Sequence, residues 1–115
     1  IVADQQPTIF GDGATSRDFT YVENNVTANI LAATSTKGAG EIFNIAMGQS
    51  VTLIQLVEKI NKILSKSVHA QHAPERVGDI KYSLADISKA AKVLNYKPAV
   101  SFEEGLKKTI EFYKS

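Results

Sequence analysis

The sequence predicts a small α/β lobe of short strands and about four helices. Three observations carry that expectation. Short β-prone runs in the first half end at glycines, apolar residues recur at helical spacing in the second half, and a Ser or Thr repeatedly precedes such a stretch with an acid or Gln three residues on. The 115-residue length suits one domain, and 43% hydrophobic with 22% charged residues is an ordinary globular composition.

The elements follow in order. Pro7 leads into Thr8-Ile9-Phe10, a strand ended by Gly11-Asp12-Gly13, where glycine permits backbone angles other residues avoid. Phe19-Thr20-Tyr21-Val22 reads as a second strand, and Asn24-Asn25 offer caps for a helix through Val26, Ala28, Ile30, Leu31 and Ala32. After the Gly38-Ala39-Gly40 turn, Ile42-Phe43-Asn44-Ile45 reads as a third strand closed by Gly48. Thr52 and Gln55 form a capping-box pattern ahead of Leu53, Leu56, Val57, Ile60, Ile63 and Leu64, one apolar stripe. Ser83 with Asp86 repeats the pattern before Ile87, Ala90, Ala91 and Leu94, and Ser101 with Glu104 before Leu106, Ile110 and Tyr113. Residues 68–81, between the first and second of these three helices, read as a polar loop.

Composition removes several functions. No run reaches the roughly 18 to 20 apolar residues of a membrane-spanning helix, so no membrane partner is expected. The absence of cysteine excludes thiolate catalysis, disulfides and cysteine–metal sites, and agrees with a reducing cytoplasm. His69 and His72 have no neighbouring Asp, Glu or Cys to complete a ligand set, so no metal is expected. The net charge of +1 divides unevenly, from −3 over residues 1–57 to +4 over 58–115. Most of the excess lies in Lys-rich helices, read as solvated faces, and nucleic acid is not expected as a partner. Met47 is the sole methionine and the chain opens at Ile1, so a piece of a longer protein is expected.

The chemistry concentrates on the two arginines. Arg17-Asp18 follows the Gly11-Asp12-Gly13 turn, and Arg76 shares a loop with Gly78 and Asp79. A guanidinium fork suits phosphate or carboxylate, and a glycine turn allows close backbone approach. Arg17 reads equally well as half of a structural ion pair and Arg76 as part of a salt-bridged loop, while Asp18 reads as a turn-stabilising acceptor rather than a catalyst. Gly38-Ala39-Gly40 precedes a strand rather than a helix, which does not fit a dinucleotide fingerprint. No tyrosine is followed four residues later by lysine, so no catalytic residue is assigned.

The segments Phe10-Gly11-Asp12-Gly13, Ser16-Arg17-Asp18-Phe19-Thr20-Tyr21-Val22-Glu23-Asn24, Ala28-Asn29-Ile30-Leu31-Ala32-Ala33, Phe43-Asn44-Ile45-Ala46, Arg76-Val77-Gly78-Asp79 and Ser83-Leu84-Ala85-Asp86-Ile87-Ser88-Lys89-Ala90 stand in a familiar order. Together they resemble the C-terminal, substrate-binding part of NAD-dependent sugar-nucleotide epimerases and dehydratases of the extended short-chain dehydrogenase/reductase superfamily. The wording is most similar to the UDP-N-acetylglucosamine 4-epimerase branch.

The resemblance implies a UDP-sugar ligand, with NAD and a Tyr-x-x-x-Lys pair held by an N-terminal Rossmann domain that this sequence lacks, and a homodimer formed through that domain. It implies that Arg17 and Arg76 grip the diphosphate and that Asp79 accepts from the ribose hydroxyls. The backbone at Ile9-Phe10-Gly11 would border the uracil, and Val51 would line the nucleotide pocket. Ser83 would leave room for an N-acetyl group where a tyrosine would restrict it. A dehydratase or decarboxylase lobe and a non-catalytic nucleotide-sugar-binding module are the competing readings.

Overall fold

The computed structural model describes residues 1–115 as an α/β lobe measuring 48 × 35 × 17 Å. Its order is β1 (Thr8–Phe10), β2 (Ser16–Arg17), α1 (Val22–Thr34), β3 (Val51–Thr52), α2 (Leu53–Leu64), β4 (Gln71–Ala73), α3 (Ser88–Leu94) and α4 (Phe102–Lys114). β1 pairs in parallel with β4, Ile9 opposite His72, while β2 pairs antiparallel with β3, Arg17 opposite Val51. An isolated parallel bridge adds Tyr82 alongside Ser16.

Two of the expected helix starts form as read. The Gln55 N–H donates to Thr52 Oγ1 (3.1 Å) and the Thr52 N–H donates back to Gln55 Oε1 (2.9 Å), closing a full capping box at the end of β3. Ser101 Oγ accepts from the Glu104 N–H at 3.2 Å and starts α4. Leu56 and Ile60 of α2 meet Phe102, Leu106 and the Phe19-Thr20-Tyr21 run along a shared cleft, and Lys59 Nζ donates to Glu103 at 2.6 Å across the two helices. The small core lies elsewhere, where Ala28 of α1 meets Ala90, Leu94 and Tyr96.

Five expectations are corrected. Phe19-Thr20-Tyr21-Val22 is not a strand: the β2 ladder ends at Arg17, Val22 already belongs to α1, and the aromatic side chains pack on α4 instead. Phe19 lies 5.8 Å from Phe102, and Tyr21 sits so close over Gly105 that a Cβ there would fall 2.6 Å from the Tyr21 Cβ. Asn24 and Asn25 do not cap α1, whose cap position is Tyr21 with no side-chain bond. Ile42–Ile45 has no strand beside it to complete a ladder; Phe43 and Ile45 pack on the core, while Ile42 stays exposed. Ser83 starts no helix, because α3 begins at Ser88, whose N–H donates to Asp86 Oδ1 at 2.9 Å.

The loop expected at 68–81 conceals β4. Its residues, Gln71-His72-Ala73, carry little β propensity, and the strand exists through long-range bonds: the Gln71 N–H donates to the Pro7 carbonyl and the Gly11 N–H to the Ala73 carbonyl, both at 2.8 Å. Most excess lysines in the second half meet carboxylates, as in Lys66–Asp4, Lys89–Glu41 and Lys108–Glu23. No helix is long and apolar enough to cross a membrane.

Candidate functional site

The two strand pairs bring one strap, residues 75–83, across the ends of β1 and β2, so that Arg76, Asp79 and Ser83 on the strap meet Phe10, Arg17 and Ser16 of the strands. Parallel pairing of β1 with β4 delivers the chain at Pro74 next to the Gly11 turn. Gly11 adopts φ +97°, and a Cβ there would lie 3.0 Å from the Glu75 side chain. Glycine therefore provides both the turn and the space for the strap. Asp12 Oδ1 accepts from the Ala14 N–H at 2.9 Å and closes the turn locally.

Arg76 places its guanidinium carbon 3.7 Å from the centre of the Phe10 ring. That is close contact for a cation on an aromatic face, and stacking leaves the guanidinium edge available for hydrogen bonding. Arg76 has no carboxylate partner, and the ion pair within its loop is Lys81–Glu75 at 3.5 Å. Three residues on, the Asp79 N–H donates to the Arg76 carbonyl at 3.2 Å, closing a turn in which Gly78 takes φ +80°. The turn thus presents Arg76 at one end and Asp79 at the other.

Asp79 Oδ1 accepts from Arg17 Nη2 at 3.0 Å, and Arg17 Nη1 donates to the Ser16 carbonyl at 2.8 Å. The ion-pair reading of Arg17 is therefore realised, with Asp79 as partner. The side chains are 29% and 42% exposed, so the pair adds little to stability. The next residue works differently. Asp18 accepts from the Met47 and Gly48 N–H groups, both at 2.9 Å, and pins the segment entering β3. It is the turn-stabilising acceptor that the sequence suggested.

The other predicted residues occupy defined places. Val51 lies opposite Arg17 in the ladder and is buried, as is Ile9. Ser83 is exposed beside β2, its N–H donating to the Ser16 carbonyl at 3.1 Å. A cleft of about 410 Å³ is lined by Ile9, Glu58, His69 and His72 but by neither arginine. Arg76 is exposed and the Arg17 side chain is 29% exposed, neither lining that cleft. His72 is tied to the fold through Nδ1, 2.7 Å from the Gly11 carbonyl, and no group of three His, Cys, Asp or Glu is placed to hold a metal ion. Local spacing does not place Glu75 and His72 against Gly11; the glycine at position 11 is the available signal that another chain segment approaches there.

Comparison with known proteins supplies the family. Residues 1–109 match the family model described as GDP-mannose 4,6 dehydratase. The chain belongs to this family of NAD-dependent sugar-nucleotide epimerases and dehydratases. It is 38% identical over 108 residues to the UDP-glucuronate 4-epimerase of Thermodesulfobacterium geofontis, covering 92% of this chain and 32% of that protein. It also resembles the UDP-N-acetylglucosamine 4-epimerase of Methanobrevibacter ruminantium, solved with UDP-N-acetylmuramic acid, at 41% identity and a TM-score of 0.89 over 97% of this chain and 36% of the other. The UDP-glucuronic acid 4-epimerase of Bacillus cereus, solved with UDP-glucuronic acid and NAD, aligns at 33% identity and a TM-score of 0.92 over 98% and 36%. The chain thus spans about a third of the length of the curated relatives it matches.

The family uses NAD. The Gly11–Gly13 turn leads into β2 and the Gly38–Gly40 turn into the non-helical 41–45 segment, so neither glycine pair precedes a helix N-terminus.

Proposed function

We propose that residues 1–115 are the nucleotide-sugar-binding lobe of an NAD-dependent UDP-glucose or UDP-N-acetylglucosamine 4-epimerase. The observation that carries this reading is the pairing of sites on the strap: Arg76 stacked on Phe10 at one end of a turn, and Asp79 bonded to Arg17 at the other. A nucleoside diphosphate is suited by two cationic anchors and an acceptor for its ribose hydroxyls within a short span, and the strap together with β2 supplies those groups. Arg17 and Arg76 hold the diphosphate, the backbone of Ile9, Phe10 and Gly11 borders the base, and Val51 backs the strand that carries Arg17. Asp79 retains Oδ2 for a ribose hydroxyl.

In an epimerase these contacts keep the nucleotide fixed while the hexose turns, which is positioning rather than bond-making. Oxidation and return of hydride at the sugar are the chemistry NAD supplies when bound. The acid and base would come from outside these residues, as would a homodimer contact. The same anchors would serve a lobe acting in elimination or decarboxylation. That second reading is favoured by relatives at similar identity: a dTDP-glucose 4,6-dehydratase of Haemophilus influenzae at 34% and a UDP-N-acetyl-alpha-D-glucosaminuronate decarboxylase of Bacillus cytotoxicus at 33%.

Calorimetry with UDP on Arg17→Ala and Arg76→Ala variants of the intact protein tests the anchoring. Each substitution removes a charge-assisted contact worth about 1.5 to 3 kcal/mol, so each weakens binding roughly tenfold to a hundredfold. Wild-type affinity in either variant assigns that arginine to the fold alone.

A further inference from the structure

The contact between Arg17 and Asp79 sits in a frame that an ordinary surface ion pair lacks. Backbone bonds hold the two segments together: the Ser16 N–H donates to the Lys81 carbonyl at 2.8 Å and the Ser83 N–H to the Ser16 carbonyl at 3.1 Å. Ser16 itself is buried, and its ladder with Thr52 fixes the strand that carries Arg17. On the strap, the Asp79 N–H is tied back to the Arg76 carbonyl. Both ends of the pair therefore project from constrained backbone.

The guanidinium is held at two points, Nη1 by the Ser16 carbonyl and Nη2 by Asp79 Oδ1. An arginine fork carries five N–H donors, so further donors remain for an anion. A free arginine must be immobilised when a ligand arrives, whereas one already oriented avoids much of that cost. The opposing effect is Coulombic, since the Asp79 carboxylate repels an anion approaching Arg17. The test has to separate the two.

We propose that Asp79 is a positioning residue for diphosphate binding, its carboxylate holding the Arg17 guanidinium in the orientation that receives the anion, apart from any contact Asp79 makes with ribose. This rests on the diphosphate reading of Arg17 above. Two substitutions separate orientation from charge. Asp79→Asn and Asp79→Ala both remove the negative charge, and only asparagine keeps an oxygen that can accept from Nη2. The probe is 2′,3′-dideoxyuridine 5′-diphosphate, which has no ribose hydroxyl for residue 79 to recognise.

Calorimetric titration of the intact protein is expected to show Asp79→Asn binding this probe about threefold to tenfold more tightly than Asp79→Ala, the scale of ordering one long side chain. In an Arg17→Ala background the two variants should bind equally, because the group being oriented is gone. Equal affinities with Arg17 present overturn the proposal while leaving the anchoring role of Arg17 intact. A difference that persists without Arg17 also overturns it, by showing that residue 79 acts on the local fold. If Arg17→Ala binds UDP like the wild type, the anchoring reading fails, and this proposal falls with it.

Discussion

Asn24, in the first turn of α1, hydrogen-bonds the backbone of Val100 in both directions: its Nδ2 donates to the Val100 carbonyl at 2.9 Å and its Oδ1 accepts from the Val100 N–H at 3.0 Å. The Ala99 N–H adds a third bond to Oδ1 at 3.1 Å. Asn24 is 1% exposed, so this polar clasp, formed over 76 residues of sequence, lies inside the molecule and joins α1 to the segment entering α4.

Asn24→Ala leaves the buried N–H and carbonyl of Val100, and the part-buried N–H of Ala99, without partners. The expected destabilisation is about 2 to 4 kcal/mol, more than one ordinary hydrogen bond is worth. Urea denaturation checks it; a loss below roughly 0.5 kcal/mol, the scale of a neutral surface change, would contradict the clasp.

Tyr96 donates from its hydroxyl to the Ala46 carbonyl at 2.8 Å and is 2% exposed. Burial, assisted by the charge of Asp18, raises its pKa above the ordinary 10.0. The unfolded chain therefore ionises this phenol first, so the stabilisation is complete below pH 10 and is lost as pH rises toward and through the folded value. Tyr96→Phe is expected to cost about 1 kcal/mol at neutral pH and to flatten the alkaline fall in stability. Denaturation profiles that run parallel up to strong alkali would contradict this.

Ser83 has no helix to cap, since α3 begins at Ser88 and its first turn is bonded by Asp86. Its contact with Ser16 uses the backbone N–H, which any L-residue except proline retains. Ser83→Tyr should therefore change stability by no more than about 0.5 kcal/mol. If Ser83 faces the C2 substituent of the sugar, as the resemblance implies, the same substitution is expected to lower kcat/KM of the intact enzyme selectively for UDP-N-acetylglucosamine and to spare UDP-glucose, an exclusion by volume. An equal loss for both substrates would remove the gatekeeping role.

The parts legible in the sequence were those decided locally. An apolar stripe behind a Ser or Thr cap identifies α2 and α4, because cap and stripe lie within a few residues of each other. Strands were less legible because a ladder needs a partner. Ile42–Ile45 has the residues of a strand and no neighbour, whereas Gln71–Ala73 has polar residues and a neighbour in β1. Asn24 looked like a cap because its short amide suits one, yet the backbone of residues 99 and 100 takes those hydrogen bonds. The two arginines stood out by rarity and by their Gly and Asp neighbours. The stack on Phe10 and the bond from Arg17 to Asp79 depend on the β1–β4 register and the Ser16 bridge, neither of which local spacing encodes.

The central claim is that this lobe holds a UDP-sugar through Arg17 and Arg76, and a crystal structure of the intact protein with UDP-N-acetylglucosamine measures it directly. The account predicts diphosphate oxygens at roughly 2.7–3.2 Å from both guanidinium groups, with the base against the backbone of Ile9, Phe10 and Gly11. A diphosphate bound away from both arginines, with Arg76 still on Phe10 and Arg17 still on Asp79, would contradict it.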